Sequence, residues 1–470
     1  MLFNSTIFFV FFAIVLSCYY VLKLRWQNRM LLIASYVFYG WWDWRFLTLI
    51  AFSTVLDYFC GLKIYSSENP RTRKNALILS LVGNLGVLGF FKYFGFFADS
   101  LSNLFDVFGF SASYTTLNIV LPVGISFYTF QTMSYTIDIY SKKLKPTKDF
   151  LNFALFVAYF PQLVAGPIER ARNLLPEIEA KRKVTAYQFR EGIELMIIGM
   201  FKKVALADMA GSLFVDPVFS NPGQYGGVTL FFASCMFGLQ IYGDFSGYSD
   251  MARGVSKLLG IELMVNFNQP YFSAGFSEFW GRWHISLSTW LRDYLYIALG
   301  GNRGTQFMTY RNLILTMLLG GLWHGASWNF VIWGACHGTA LSIERAVRQH
   351  FGIFANKVTG LSRLRRVMFV FVIVTLIWIP FRAPSIHESI SILSGILSLR
   401  DGLEFAMNDY GIAALLVAGL FLVDVPQILL KEHAFARRLP GIVGDIVLAI
   451  FLAATLLVPV GNQTFIYFQF

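Results

Sequence analysis

Long apolar runs separated by short basic clusters dominate this chain. Runs of about 20 residues, the length that crosses a bilayer as a helix, lie near 3–22, 30–64, 76–98, 116–139, 150–166, 191–212, 226–246, 311–334, 367–381, 409–430 and 441–460. The 30–64 run is long enough for two spans and divides at Trp41-Trp42-Asp43-Trp44-Arg45. Between the runs sit Lys23/Arg25/Arg29, Arg71/Arg73/Lys74, Lys142/Lys143/Lys145/Lys148, Lys181/Arg182/Lys183, Arg363/Arg365/Arg366 and Lys431/Arg437/Arg438. That is the pattern of basic loops held on the inner side of a membrane. The first cluster follows the first run and the last precedes the final run, so both ends of the chain are expected outside and the crossings even in number. The N-terminal run has no basic stretch before it and no A-x-A-like cleavage site, and it is expected to stay as a first span. The expected fold is an all-α polytopic membrane protein with about ten to twelve transmembrane helices. Interrupted segments would be re-entrant or interfacial helices, and residues 1–470 would form one domain.

The pattern changes over 279–299. Leu287, Trp290, Leu291, Tyr294, Leu295 and Ala298 recur at helical spacing, while His284, Ser288 and Arg292 follow at i, i+4 and i+8. This predicts an amphipathic helix with a polar stripe, lying at the interface or lining a wet cavity. Gly300-Gly301-Asn302-Arg303-Gly304 would end it as a turn.

Composition strengthens the membrane reading. The chain of 470 residues is 56% hydrophobic and 17% aromatic but only 14% charged, against about 25% charge in soluble domains. The net charge of +11 resides in the inner clusters and does not indicate a nucleic-acid partner. Cys18, Cys60, Cys235 and Cys336 are scattered without a CxxC or a His/Cys spacing, so neither a disulfide framework nor a metal site is expected.

Candidate chemistry centres on histidine. Of six histidines in the chain, His284, His324 and His337 fall between residues 279 and 338, among glycine and tryptophan. His324 lies within an otherwise bilayer-grade segment, and an ionisable group at membrane depth is a functional candidate by default. On one continuous helix, thirteen residues at about 100° each would turn His324 and His337 to nearly opposite faces, and His337 is expected to be structural. His350, His387 and His433 sit beside loop charges and carry no signal. Asp244, Asp250 and Arg253 interrupt another apolar segment at YGDFSGYSDMAR, where carboxylate–arginine pairing is expected. No Gly-x-Ser-x-Gly supports a serine nucleophile. The chain ends in Phe465-Ile466-Tyr467-Phe468-Gln469-Phe470, an aromatic tail that either lies in an interfacial belt or enters the protein. Extended, residues 461–470 reach roughly 30 Å, enough to bring the Tyr467 phenol near a buried histidine.

These motifs carry a resemblance. FWGRWHISLSTWLRDYLYIALGGNRG and GGLWHGASWNF, with FPQLVAGPIERA and YGDFSGYSDMARG upstream, resemble the membrane-bound O-acyltransferase family, and within it the bacterial alginate and peptidoglycan O-acetyltransferases. Teichoic acid D-alanyl transfer proteins are more distant relatives. The likeness runs over nearly the whole chain, with a signature core of about 115–345. It implies a ring of helices around a central tunnel, His324 as the family's near-invariant histidine, His284 as its second polar residue, and Tyr467 as an acyl carrier in the terminal tail. It further implies acetyl-CoA as donor, a bacterial inner-membrane location with periplasmic termini, a periplasmic SGNH-type acetyltransferase partner and a polysaccharide acceptor.

In the mechanism so implied, His324 is the general base for the Tyr467 phenol, and His284 orients the donor or stabilises the oxyanion. Three alternatives stand beside it. One is direct acylation of a lipid, which would not need the tail. Another is a transporter, which would show repeat symmetry between its halves. The third is a structural subunit, which would need neither His324 nor Tyr467.

Overall fold

The computed structural model describes residues 1–109, 120–164, 166–354, 358–458 and 465–466. The start of the 116–139 run, the end of the 441–460 run and Tyr467 lie outside the described residues. Among the described residues the architecture is helical throughout, with one isolated bridge between Tyr225 and Leu403 in place of any sheet. Five helical runs are long and apolar enough to cross a membrane: Leu24–Ser66, Pro70–Val107, Gly227–Leu258, Gly360–Arg382 and Met407–Leu430. Thr6–Val21, Ile386–Leu397 and Val443–Leu457 are shorter apolar helices. This is an all-α, multi-pass membrane protein.

The Leu24–Ser66 run has 43 residues, roughly 65 Å at the helical rise, about twice the hydrocarbon thickness. It breaks where the aromatic turn predicts, at the 3₁₀ turn Trp44–Phe46. There the Asp43 carboxylate accepts the Arg45 N–H at 2.9 Å and pairs with its guanidinium at 2.6 Å. Other expected spans are broken. Within the 150–166 run, the described residues form a helix Phe150–Ala158 capped by Asp149, which accepts the Leu151 and Asn152 N–H groups, and then a separate turn Phe160–Leu163. The 191–212 run holds the end of the helix Ala186–Met200 and then a π-helical stretch, Phe201–Asp208.

The chain forms two compact units. The first comprises Met1–Gly192 with Ala252–Met264. Its helices Leu47–Ser66, Pro70–Leu88 and Ile125–Tyr140 share a buried polar network. The Asp57 carboxylate accepts the Ser80 hydroxyl at 2.5 Å and the Asn84 amide at 2.8 Å, and Ser80 also meets Thr136 at 2.9 Å. An unpaired carboxylate in such a place would be costly, so these contacts fix how the three helices face one another. Tyr19 donates to the Leu259 carbonyl at 2.5 Å, and Tyr159 meets Ser256 at 2.9 Å.

The second unit comprises Ile193–Met251 with Val265–Phe470 and carries the histidines. Its closest helix pair is Gln306–His324 against Trp328–Phe351. Thr305 starts the first helix by accepting the Met308 N–H at 3.3 Å, and the chain turns extended at Gly325. The two backbones touch at glycines: a Cβ on Gly321 would overlap the Phe330 carbonyl, and one on Gly334 the Met317 carbonyl. Small residues at a crossing let membrane helices pack backbone to backbone. Gly334→Ala is therefore expected to destabilise the protein by about 1–3 kcal/mol, the usual cost of overpacking, and to displace His324. A lowered melting temperature of the purified protein in detergent, with reduced acyl transfer, is the result to look for; unchanged melting would mean that the crossing tolerates a side chain.

Candidate active site

His284 occupies a tight turn between the helices Phe276–Trp280 and Ile285–Trp290, at φ 42°. Left-handed backbone is disfavoured for a residue with a Cβ and persists only where its surroundings over-determine it. Here Asn266 does so. Its Oδ1 is 3.1 Å from His284 Nδ1, accepts the Ser286 N–H at 3.2 Å and accepts the Ser286 hydroxyl at 2.9 Å. Its backbone carbonyl takes the Ile285 N–H at 2.8 Å. A backbone N–H can only donate, so the Asn266 atom is the carbonyl oxygen and His284 Nδ1 must carry the proton. Nε2 is then the basic nitrogen of the neutral ring.

The expected polar stripe forms only in part: Ser288 and Arg292 line one cavity, and His284 does not join them. His284 caps the helix instead of lying along it. Residues Leu291–Tyr296 are a π-helical turn, whose extra residue per turn rotates the following side chains off the earlier face. Leu287, Trp290 and Leu291 are buried as expected, but Ala298 is exposed. The Ser288 hydroxyl turns back to the Trp283 carbonyl at 3.0 Å, and Arg292 reaches out to Asp293 at 2.7 Å. The glycine turn does follow, with Gly300, Gly301 and Gly304 all at positive φ.

His324 is the last residue of its helix, 4% exposed. Trp323, Trp333 and Phe381 surround it with ring centroids 5.0, 5.1 and 5.4 Å away. The rings of His284 and His324 lie 6.3 Å apart, close enough to address one small acyl group from two sides. His337 is on the next helix, because the chain breaks at Gly325–Ser327 and the two histidines do not share a continuous helix. Trp333 stands between them, 4.8 Å from His337, so they remain apart for a different reason than helical phase. His337 is enclosed by aromatic rings, among them Phe279, Trp280 and Trp378.

The two described residues of the aromatic tail are buried. Phe465 and Ile466 are each 1% exposed. Phe465 packs on Tyr248 at 4.8 Å and on Phe245 at 6.1 Å, and Phe245 in turn meets His284 edge-on at 4.6 Å. One aromatic ring therefore touches both the tail and a candidate histidine. Tyr467, the next residue, lies outside the described residues.

Asp244 and Asp250 pair with lysines. Lys202 meets Asp250 at 2.8 Å, and Lys203 lies between Asp208 at 2.6 Å and Asp244 at 2.8 Å. These lysines and Asn266 escaped the sequence reading. Two consecutive lysines inside the apolar 191–212 run were a readable signal, whereas nothing in the pattern distinguishes Asn266. A cavity of about 280 Å³ opens nearby, lined by Trp280, Leu291, Arg292, Tyr296, Arg345 and Arg348 among others. Its Trp280 wall abuts Trp333 at 5.8 Å. Among the described residues no three His, Cys, Asp or Glu side chains gather as a metal site requires, and all four cysteines are free.

Residues 141–381 match the model of the membrane-bound O-acyltransferase family. A probable alginate O-acetylase of Azotobacter vinelandii is 44% identical over 427 residues, covering 90% of this chain and 84% of that protein. The chain belongs to the membrane-bound O-acyltransferase family. A peptidoglycan O-acetyltransferase of Helicobacter pylori is 35% identical over 85% of this chain and 80% of its own. A teichoic acid D-alanyltransferase of Streptococcus thermophilus is 30% identical over 48% of this chain and 57% of its own. The protein is thus a membrane O-acyltransferase, and the paired histidines lie within the matched region.

Removing the Asn266 amide would leave the Ser286 N–H and His284 Nδ1–H without their acceptor. Asn266→Ala is expected to lower acyl transfer about 10- to 100-fold, as losses of orienting partners do, and to cost about 1–3 kcal/mol in stability for the buried donors left unpaired. Turnover and thermal unfolding of the purified variant test this; full activity would mean that His284 needs no such orientation.

Proposed function

We propose that this O-acyltransferase moves an acetyl group from acetyl-CoA, on the cytoplasmic side of a bacterial inner membrane, to a carrier residue in its own tail. A periplasmic SGNH-type acetyltransferase then takes the group to a hydroxyl of an exported or cell-envelope polysaccharide, of the alginate or peptidoglycan type. Both termini are periplasmic in this reading.

The observation that carries it is the convergence, in one unit, of His324, His284 and the tail residues immediately before Tyr467. In the first step His324 accepts the Tyr467 phenol proton and the phenolate oxygen attacks the thioester carbonyl. The new C–O bond forms as the C–S bond breaks, and the departing thiolate takes up the proton held on the imidazolium. The position of His324 at a helix C-terminus favours the positive charge that the ring acquires. His284, with Nδ1–H fixed on Asn266, keeps Nε2 as its basic nitrogen, and its ring lies 6.3 Å from that of His324. It helps an oxyanion only after binding a second proton, so in the neutral ring its part is to orient the donor. Arg292, Arg345 and Arg348 around the neighbouring cavity complement the phosphates of the donor.

A positioned base contributes about 10²–10⁴-fold, so His324→Ala should lower transfer by that factor with the fold intact. Peptide mass spectrometry after incubation with acetyl-CoA is expected to find an acetyl adduct on the C-terminal peptide of the wild type, and none in Tyr467→Phe or His324→Ala. Transfer to an acceptor without any adduct would overturn the relay and leave direct acylation.

A further inference from the structure

Within the second unit, the buried tail is held by more than aromatic packing. The Ile466 backbone N–H donates to Asp244 Oδ2 at 2.7 Å. The other carboxylate oxygen of Asp244 faces the Lys203 ammonium at 2.8 Å, and that ammonium also meets Asp208 at 2.6 Å. Asp244 is 2% and Lys203 4% exposed. The arrangement has a local cause. Gly199 and Gly247 let two helices touch, since a Cβ on Gly247 would fall 2.6 Å from the Gly199 carbonyl. Directly after this crossing the chain runs into the π-helical stretch Phe201–Asp208. Lys202 and Lys203, adjacent in sequence, thereby reach different carboxylates, Asp250 and Asp244.

We propose that Asp244, oriented by Lys203, is a positioning residue that docks the C-terminal tail through the Ile466 N–H and so places Tyr467 for acylation. The proposal rests on the relay reading for its purpose, but the docking contact stands on its own geometry. The contact recognises the tail's backbone, with register supplied by Phe465 between Tyr248 and Phe245. A main-chain donor on a buried carboxylate is a charge-assisted hydrogen bond, among the stronger kinds. It also satisfies a buried oxygen that withdrawal of the tail would leave without this donor. A contact of this kind corresponds to roughly 5- to 150-fold in the ratio of docked to released tail.

The test uses full-length protein in detergent and two single variants. Ile466→Pro removes the N–H and leaves the Lys203, Asp208 and Asp244 cluster untouched. Asp244→Asn keeps the side-chain shape and removes the charge. Hydrogen–deuterium exchange of the C-terminal peptide without any acyl donor reads docking: each variant should exchange its remaining tail amides at least 5-fold faster than the wild type. The double variant should be no faster than the faster single one, because both changes break one contact. With acetyl-CoA, adduct formation should show a lowered kcat and an unchanged KM for the donor. A protected wild-type tail, released in the variants but never acetylated, would uphold the socket and sink the relay. Equal exchange of the remaining tail amides in wild type and Ile466→Pro, or strictly additive effects in the double variant, would overturn the proposal.

Discussion

Two helix backbones in van der Waals contact make the histidine site possible. At Gly321 and Gly334 the helices ending at His324 and beginning at Trp328 approach more closely than any side chain would allow. Lipid offers no hydrophobic force to press helices together, so such packing must supply the attraction itself. The contact decides where Trp333 falls, and Trp333 forms a wall against both His324 and His337. His324 then lacks the space to swing away, and its ring stays 6.3 Å from that of His284. In the proposed mechanism, a base held in this way costs no reorganisation when the reaction begins.

The second constraint is the cost of polar groups in apolar surroundings, and it is met in two ways. In the first, Asp57 is satisfied by neutral donors, Ser80 and Asn84, which tie three helices together. In the second, carboxylates face ammonium groups, with Lys203 shared between Asp208 and Asp244. Ion pairs of this kind rarely add net stability over a well-packed apolar core, but they fix geometry. Asp244 in addition receives a donor from the chain terminus, so the ion pair and the tail are coupled.

A carrier on the protein's own chain suits the proposed reaction. In that reaction a carrier joined to the same chain as the helix Val443–Leu457 would meet the donor at an effective concentration that a free acceptor does not reach. The donor then need not cross the membrane, because only the acyl group changes sides. The same economy explains why the tail is aromatic: Phe465 gains apolar burial against Tyr248 and Phe245, which offsets the entropy of ordering a chain end.

The amino-acid sequence by itself determined the class of this protein. Apolar runs of bilayer length admit only helices, because a backbone in lipid must satisfy its own hydrogen bonds, and that rule needs no tertiary information. The break at Trp41–Arg45, the glycine turn after residue 299, and His284, His324 and the aromatic tail as candidates were legible for the same reason: each violates a local pattern. What depended on tertiary structure was every pairing. The stripe expected from His284 to Arg292 lost its His284 end because that residue sits in a left-handed turn ahead of the helix. His324 and His337 are not on one helix, so helical spacing could not describe their relation. Asp244 and Asp250 meet lysines some forty residues upstream, contacts that no local spacing could indicate. Asn266 oriented His284 without leaving any mark in the pattern. Periodicity records the solvent on each face of a helix, whereas a hydrogen-bond partner is set by where distant segments cross, and at Gly321–Phe330 and Gly199–Gly247 only the folded backbone decides that.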